Sequence, residues 1–176
     1  IIRGGPVKVT EDQAGRPVIG ALEMTGRGQR HADPGNTALE VPVKEGDVVV
    51  VMDTRGGTLL VGPEVAGSIL ATECAVLRVT ADEYLSPEWL HLWTTSKDFT
   101  DQVHAYSSGG AIARLSAQAL KKFTVPLPTR ELQAGVVDRI AEVDGEIASA
   151  THRLSLLEEL RKAEAEVATA RAENGR

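Results

Sequence analysis

From Thr129 onward the chain carries a pattern that limits every fold open to it. Ile140, Val143, Ile147, Ala150, Leu154 and Leu157 recur at spacings of 3-4-3-4-3, which is the seam of a heptad repeat. Charged residues fill most outward positions, and Gly145, the one weak helix former, falls outside the seam. With Thr129 as N-cap and Leu132 opening the apolar period, the spacing predicts a helix from about Thr129 to about Ala170. At the standard rise per residue such a helix is roughly 60 Å long. A chain of 176 residues holds one domain and an appendage, and that domain cannot bury so long an apolar stripe. The helix must therefore pair with another, elsewhere in the same polypeptide or in a second chain. We read residues 1–128 as a folded domain and 129–176 as a spacer or dimerisation helix.

The folded part reads mainly as β-structure. "EGDVVVVMD" has an apolar run of the length of a buried strand, preceded by a turn at Gly46-Asp47. "TLLVGPEVAGSILATECAVLRVT" adds two or three strands broken at Gly62-Pro63 and Gly67, and the Gly- and Pro-rich start adds weak strands in "PVKVTED" and "RPVIGALEMTG". Ser86 and Pro87 open one or two helices on which Trp89, Leu90, Trp93, Phe99 and Val103 form an apolar stripe, so the tryptophans are expected in the core. A short apolar strand is expected within "GGAIARLS", then a short helix capped by Ser116, then an extended "TVPLP". The expected class is α+β: a compact, mostly antiparallel or mixed sheet with short helices, followed by a long C-terminal helix of coiled-coil type.

Composition narrows the partners. With 19 Lys+Arg against 25 Asp+Glu the formal charge is −6, which argues against a generally basic coat but not against a local basic patch. The helical part holds seven of these cations and ten of the anions, so the rest is only mildly acidic. Cys74 is the single cysteine, which excludes an intrachain disulfide and a cysteine-based zinc site and suits the cytoplasm. No apolar run approaches the roughly 20 residues of a membrane span, and no signal peptide is expected. The chain begins "IIRGGP" without Met, so it is expected either to be cut from a longer polypeptide or to lack its first residues.

Signatures of catalysis are missing. There is no phosphate-binding Gly-x4-Gly-Lys loop, and Gly26-Arg27-Gly28 lacks the third glycine of a dinucleotide site. No Gly-x-Ser-x-Gly elbow and no Asn/Asp-Pro-Pro-aromatic motif of amino-methyltransferases occurs; Asp33-Pro34-Gly35 is a turn. His31, His91, His104 and His152 are widely spaced without a His-x3-His pair, so no metal site is expected. No catalytic residue is assigned.

Five stretches together carry a resemblance. They are Gly46-Asp47; Arg55-Gly56-Gly57-Thr58; Pro87 with Trp89-Leu90; Ser107 to Ser116; and Pro126 to Gln133. In this order and spacing the region from Leu39 to Leu160 resembles the target recognition domain of type I restriction-modification specificity subunits, with the helical spacer that follows it. It departs from the family pattern in Glu131-Leu132-Gln133, where the acidic-Gln pair is split, in the turn "DTRGGT", and in holding one recognition domain where a full subunit usually has two. Three settings stay open: half of such a subunit, a half-size subunit pairing with itself, or the C-terminal part of a fused adenine methyltransferase.

The resemblance implies double-stranded DNA as the partner, one part of a split target read by this domain, and a methyltransferase domain or subunit docked on the helix. A nuclease is a possible further partner. Ile140, Val143, Ile147, Leu154 and Leu157 would pair with a second copy or a second recognition domain. No cofactor is expected in this chain; S-adenosylmethionine is expected on the partner. Phosphate contacts need Arg, Lys, Ser, Thr or backbone N–H groups, and base reading favours Arg, Asn and Gln in loops. The candidates are Arg27, Gln29, Arg30 and His31; Arg55, Gly56, Gly57 and Thr58; Lys97, with Thr94 and Thr95 at a helix end; and Tyr106, Ser107, Ser108, Gly109, Gly110 and Arg114. The competing reading is a protein-interaction module that never meets DNA. Convergence of Arg27, Arg30, Arg55 and Arg114 on one concave face favours DNA, whereas scatter favours the rival.

Overall fold

The structure, a computed structural model, describes residues 1–10, 14–34, 40–109 and 112–174, with side chains as far as 167. Among these residues the elements are β1 (Ile2–Arg3), β2 (Val9–Thr10), β3 (Val18–Ile19), α1 (Ala21–Met24), β4 (His31–Ala32), β5 (Val48–Val51), β6 (Thr58–Leu60), β7 (Ile69–Leu70), β8 (Cys74–Leu77), α2 (Pro87–Thr94), α3 (Lys97–Tyr106), α4 (Ala117–Leu120) and α5 (Arg130–Asn174). The chain divides into two compact units, Ile1–Gln133 and Ala134–Arg176.

The first unit is organised by an antiparallel sheet in the order β1-β8-β5-β6. Two small additions, antiparallel β2-β4 and parallel β3-β7, make the whole mixed. The four consecutive valines of β5 are explained by burial on both faces. Val48 and Val50 point into a cluster with Leu90, Trp93, Phe99, Val103 and Leu120 from the helices, while Val49 and Val51 join Ile19, Val43, Val61 and Leu70 on the other side. A strand covered on both sides loses the alternation of a half-exposed one. Cys74 lies in the second cluster, and burial pushes its thiol up to about 12, so it is an inert packing residue.

The expected helix starts at Ser86, Ser116 and Thr129 are present. Ser86 and Ser116 each accept a hydrogen bond from the backbone N–H three residues on, as does Ser96, which was not anticipated, and Leu132 N–H donates to Thr129 Oγ1 at 3.4 Å. Trp93 is buried and meets Phe99 edge-to-face at 5.0 Å. Two local expectations differ. "RPVIGALEMTG" is a strand only at Val18–Ile19, after which Ala21–Met24, all good helix formers, make one helical turn. No strand forms over 112–115; Arg114 makes only isolated bridges, to Asp53 and to Ser108.

Two buried polar groups set the frame. Asp47, in the turn before β5, is 1% exposed; its carboxylate accepts from Lys44 N–H and takes a two-pronged ion pair from Arg78 at 2.6 and 2.7 Å. This pairing raises the pKa of Arg78. Gln133 is wholly buried at the end of the first unit. Its amide donates to Tyr84 O and Pro128 O and accepts from Ser86 N–H and Arg130 Nη1. A buried amide satisfied from four directions ties the lead-in of α5 to the N-terminus of α2.

The second unit is one helix. Its seam residues are open: Ile140 and Val143 are nearly two-fifths exposed, and Ile147, Leu154 and Leu157 more than half. No helix among the described residues is long and apolar enough to cross a membrane.

Candidate nucleic-acid interface

The candidate site is built at one end of the main sheet. β5 runs out through Met52 into the turn Asp53-Thr54-Arg55-Gly56-Gly57. Asp53 Oδ1 accepts Arg55 N–H at 2.9 Å, and Gly56 N–H closes on Asp53 O at 3.2 Å. Gly56 and Gly57 have φ of 73° and 124°, in the region only glycine enters freely, so the turn can follow this path only with glycines there.

Three distant segments close around that turn. Met52 N–H bonds to Glu73 O, which brings Thr72 and Glu73 to its flank. β1 pairs with β8 so that Arg3 lies opposite Ala75. Leu115 N–H bonds to Met52 O and Thr54 N–H to Ala113 O, which carries Arg114 beside Asp53. The result is a cleft of about 290 Å3 lined by Arg3, Asp53, Arg55, Thr72, Glu73 and Arg114 among others. Three guanidiniums against two carboxylates leave a local positive excess in a chain of net charge −6.

Within the cleft the arginines differ. Arg55 is held by the Asp53 carboxylate, through Nε at 3.1 Å and Nη2 at 2.5 Å. The Arg55 guanidinium holds the Asp53 carboxyl below the ordinary aspartate range. Arg3 and Arg114 are exposed and make no side-chain bond among the described residues. Arg30 reaches the rim by a 3.2 Å contact with Glu73, but its guanidinium is chiefly committed to Glu23 at 2.6 and 2.9 Å. Burial pushes the Glu23 carboxyl up, but its bonds with Arg30 outweigh this and leave it below its usual value.

The other sequence candidates lie apart from this cleft or serve the fold. Arg27 is exposed without a side-chain partner among the described residues. Gln29 donates to Val18 O and Arg30 O, and His31 is a residue of β4. Thr58 shares a 2.7 Å hydrogen bond with Thr94, which is buried and donates to His91 O; Thr94 is a packing residue rather than a phosphate contact. Lys97 opens α3 rather than ending a helix, and pairs with Asp101. Ser107 has a buried hydroxyl with no partner among the described residues, Ser108 is paired through its backbone to Arg114, and Gly109 has φ 130°. Gly110 lies outside the described residues. Of the four arginines whose convergence was to decide between readings, Arg55 and Arg114 share the cleft, Arg30 touches its rim, and Arg27 is not among its lining residues. Arg3, Asp53 and Glu73 were not foreseen. The one sequence hint is an aspartate two residues before an arginine at a Gly-Gly turn.

A cleft lined by several guanidiniums at the end of a sheet suits an extended anion or a polar edge better than a mostly apolar small molecule. No group of three or more His, Cys, Asp or Glu able to hold a metal occurs among the described residues.

Comparison with known proteins gives this class a family. The type I restriction modification DNA specificity domain family matches residues 6–159, and the chain belongs to that family. It is a DNA specificity module, as the sequence resemblance implied. Among solved structures it is similar to the HsdS subunit from Thermoanaerobacter tengcongensis, at 17% identity and a TM-score of 0.59, over 84% of this chain and 41% of that one. It is similar to a chain of a type I R-M system described for its complex assembly and conformational transition, at 19% and 0.56, over 93% and 47%. The type I S subunit from M. genitalium matches at 12% and 0.53, over 82% and 37%. At these identities the likeness is one of fold, and the chain spans less than half the length of each. No curated protein matches.

Proposed function

We propose that this chain reads one part of a split sequence in duplex DNA through the cleft of Arg3, Arg55 and Arg114. The seam of α5 then docks a second helix and a methyltransferase domain or subunit. S-adenosylmethionine and the methyl transfer belong to that partner, and a nuclease joins it in a restriction complex. The observation that supports this reading is the convergence of three arginines, from positions far apart in the chain, on one open cleft. The exposed apolar seam supports a helical partner, whether a second copy of this chain or a second recognition domain.

The few free cations imply that affinity is shared with the partner. Near about 150 mM salt the isolated chain should bind short duplexes weakly, because few phosphates are neutralised. With the methyltransferase partner it should bind a target duplex in a mobility-shift assay, and Arg55→Glu with Arg114→Glu should abolish that shift. Nanomolar binding by the chain alone, or a double variant that still binds, would contradict the reading.

A further inference from the structure

We infer that Asp53 turns Arg55 into a reader of guanine rather than a clamp on phosphate. This rests on the DNA reading above and adds a specificity-determining residue, Arg55, with Asp53 as its positioning residue.

The geometry carries the argument. A guanidinium has two usable edges, Nε/Nη2 and Nη1/Nη2. Asp53 occupies the first, with both carboxylate oxygens engaged. The carboxylate is sheltered, at 7% exposure of its side chain, and is anchored by Arg55 N–H as well. The Arg55 side chain is 57% exposed, so the other edge remains open to a ligand. Nη1 makes no bond among the described residues. An arginine fixed along one edge presents two parallel donors with little rotamer freedom left to lose.

Two parallel donors select among bases. In the major groove only guanine offers two adjacent acceptors, O6 and N7; adenine pairs its N7 with a donor, cytosine shows a donor, and thymine one acceptor beside a methyl. A phosphate also offers two oxygens, but its attraction is largely charge. The Asp53 carboxylate cancels most of the Arg55 charge and repels a second anion, which leaves the directed donors as the main attraction. Among the described residues Arg3 and Arg114 are not hydrogen-bonded to a carboxylate, although the Asp53 charge also reaches Arg114, and they are the better phosphate contacts.

The test uses the full chain with its methyltransferase partner, a duplex library randomised over the recognised site, and binding measured against salt. The wild type should require guanine at one position, and Arg55→Gln should reduce that preference by about tenfold. The slope of log affinity against log salt should stay unchanged, since no phosphate contact is lost. Asp53→Asn keeps an oxygen for the Arg55 N–H. It should also lose guanine preference while binding non-specific duplex as well as or better than the wild type. A slope that falls by about one in Arg55→Gln with the base profile unchanged would make Arg55 a phosphate clamp and overturn the inference. A wild-type profile without a guanine requirement would overturn it as well. Failure of the wild-type complex to bind any duplex is a different result, which removes the DNA reading and this inference with it.

Discussion

Strand β5 and helix α5 are built from the same kinds of apolar residue and meet opposite fates. In β5 the four valines are 0–3% exposed, because helices cover one face of the sheet and further strands and loops the other. In α5 Ile147, Leu154 and Leu157 are 58%, 62% and 61% exposed. The first surface is completed within its own unit. The second is a regular stripe, as apolar as a core and without a cover within its own unit. A soluble surface seldom carries so ordered an apolar stripe unless a partner covers it. The difference separates a surface that holds its own unit together from one left open to water.

The comparison can be broken most directly by making one chemical change in both places. Leu70→Ala, in the wholly buried cluster behind β5, should cost about 2–5 kcal/mol in urea unfolding. Leu154→Ala should shift the same measurement by no more than about 0.5 kcal/mol, as an exposed site does. Similar losses at both sites would mean that the seam is already buried in a self-associated form.

A smaller effect sharpens the boundary between the regions. Gln133→Ala removes an amide that serves two carbonyls, a backbone N–H and Arg130, at no exposure. Leaving these groups unpaired should cost about 1–3 kcal/mol. Hydrogen exchange should locate the loss in residues 84–86 and the first turn of α5, with β5 protected as before. Protection lost evenly through β5 would instead make Gln133 part of the central core.

The smallest effect concerns the cleft. The folded-state pKa of Asp53 is lowered by Arg55, so between that value and the ordinary one, about 3.9, the unfolded chain binds more protons than the folded one. The stability it contributes is therefore present above the ordinary value and is lost as the pH falls through the folded-state value. Arg55 is more than half exposed, so the contribution should stay under about 1 kcal/mol. The unfolding curves of wild type and Asp53→Asn should differ at neutral pH and converge in acid; a gap independent of pH would show that the charge of Asp53 is not what stabilises the turn.

How much was legible in the sequence follows from the range of each interaction. The run of four valines announced a buried strand, and the structure shows it covered on both faces. Ser86, Ser116 and Thr129 announced helix starts, because a cap reaches only three residues. The Ala21–Met24 turn was misread as strand because a single helical turn is too short to show a period. Arg55 and Arg114 were legible as candidates but not as neighbours. Arg30 carried the same promise in sequence, and only its contacts show it bound to Glu23.

By itself, then, the sequence determined the longer elements and the apolar seam of α5, since periodicity, turns and caps are properties of near neighbours along the chain. Only the tertiary structure decided the cleft. Arg3, Asp53, Glu73 and Arg114 are far apart in the chain and become one site through backbone pairing at the end of the sheet. The Asp53–Arg55 pair is local, between residues two apart in one turn, but no local pattern places Arg3, Glu73 and Arg114 beside it. That placement depends on distances that exist only once β1, β5, β8 and the Arg114 loop have been brought together.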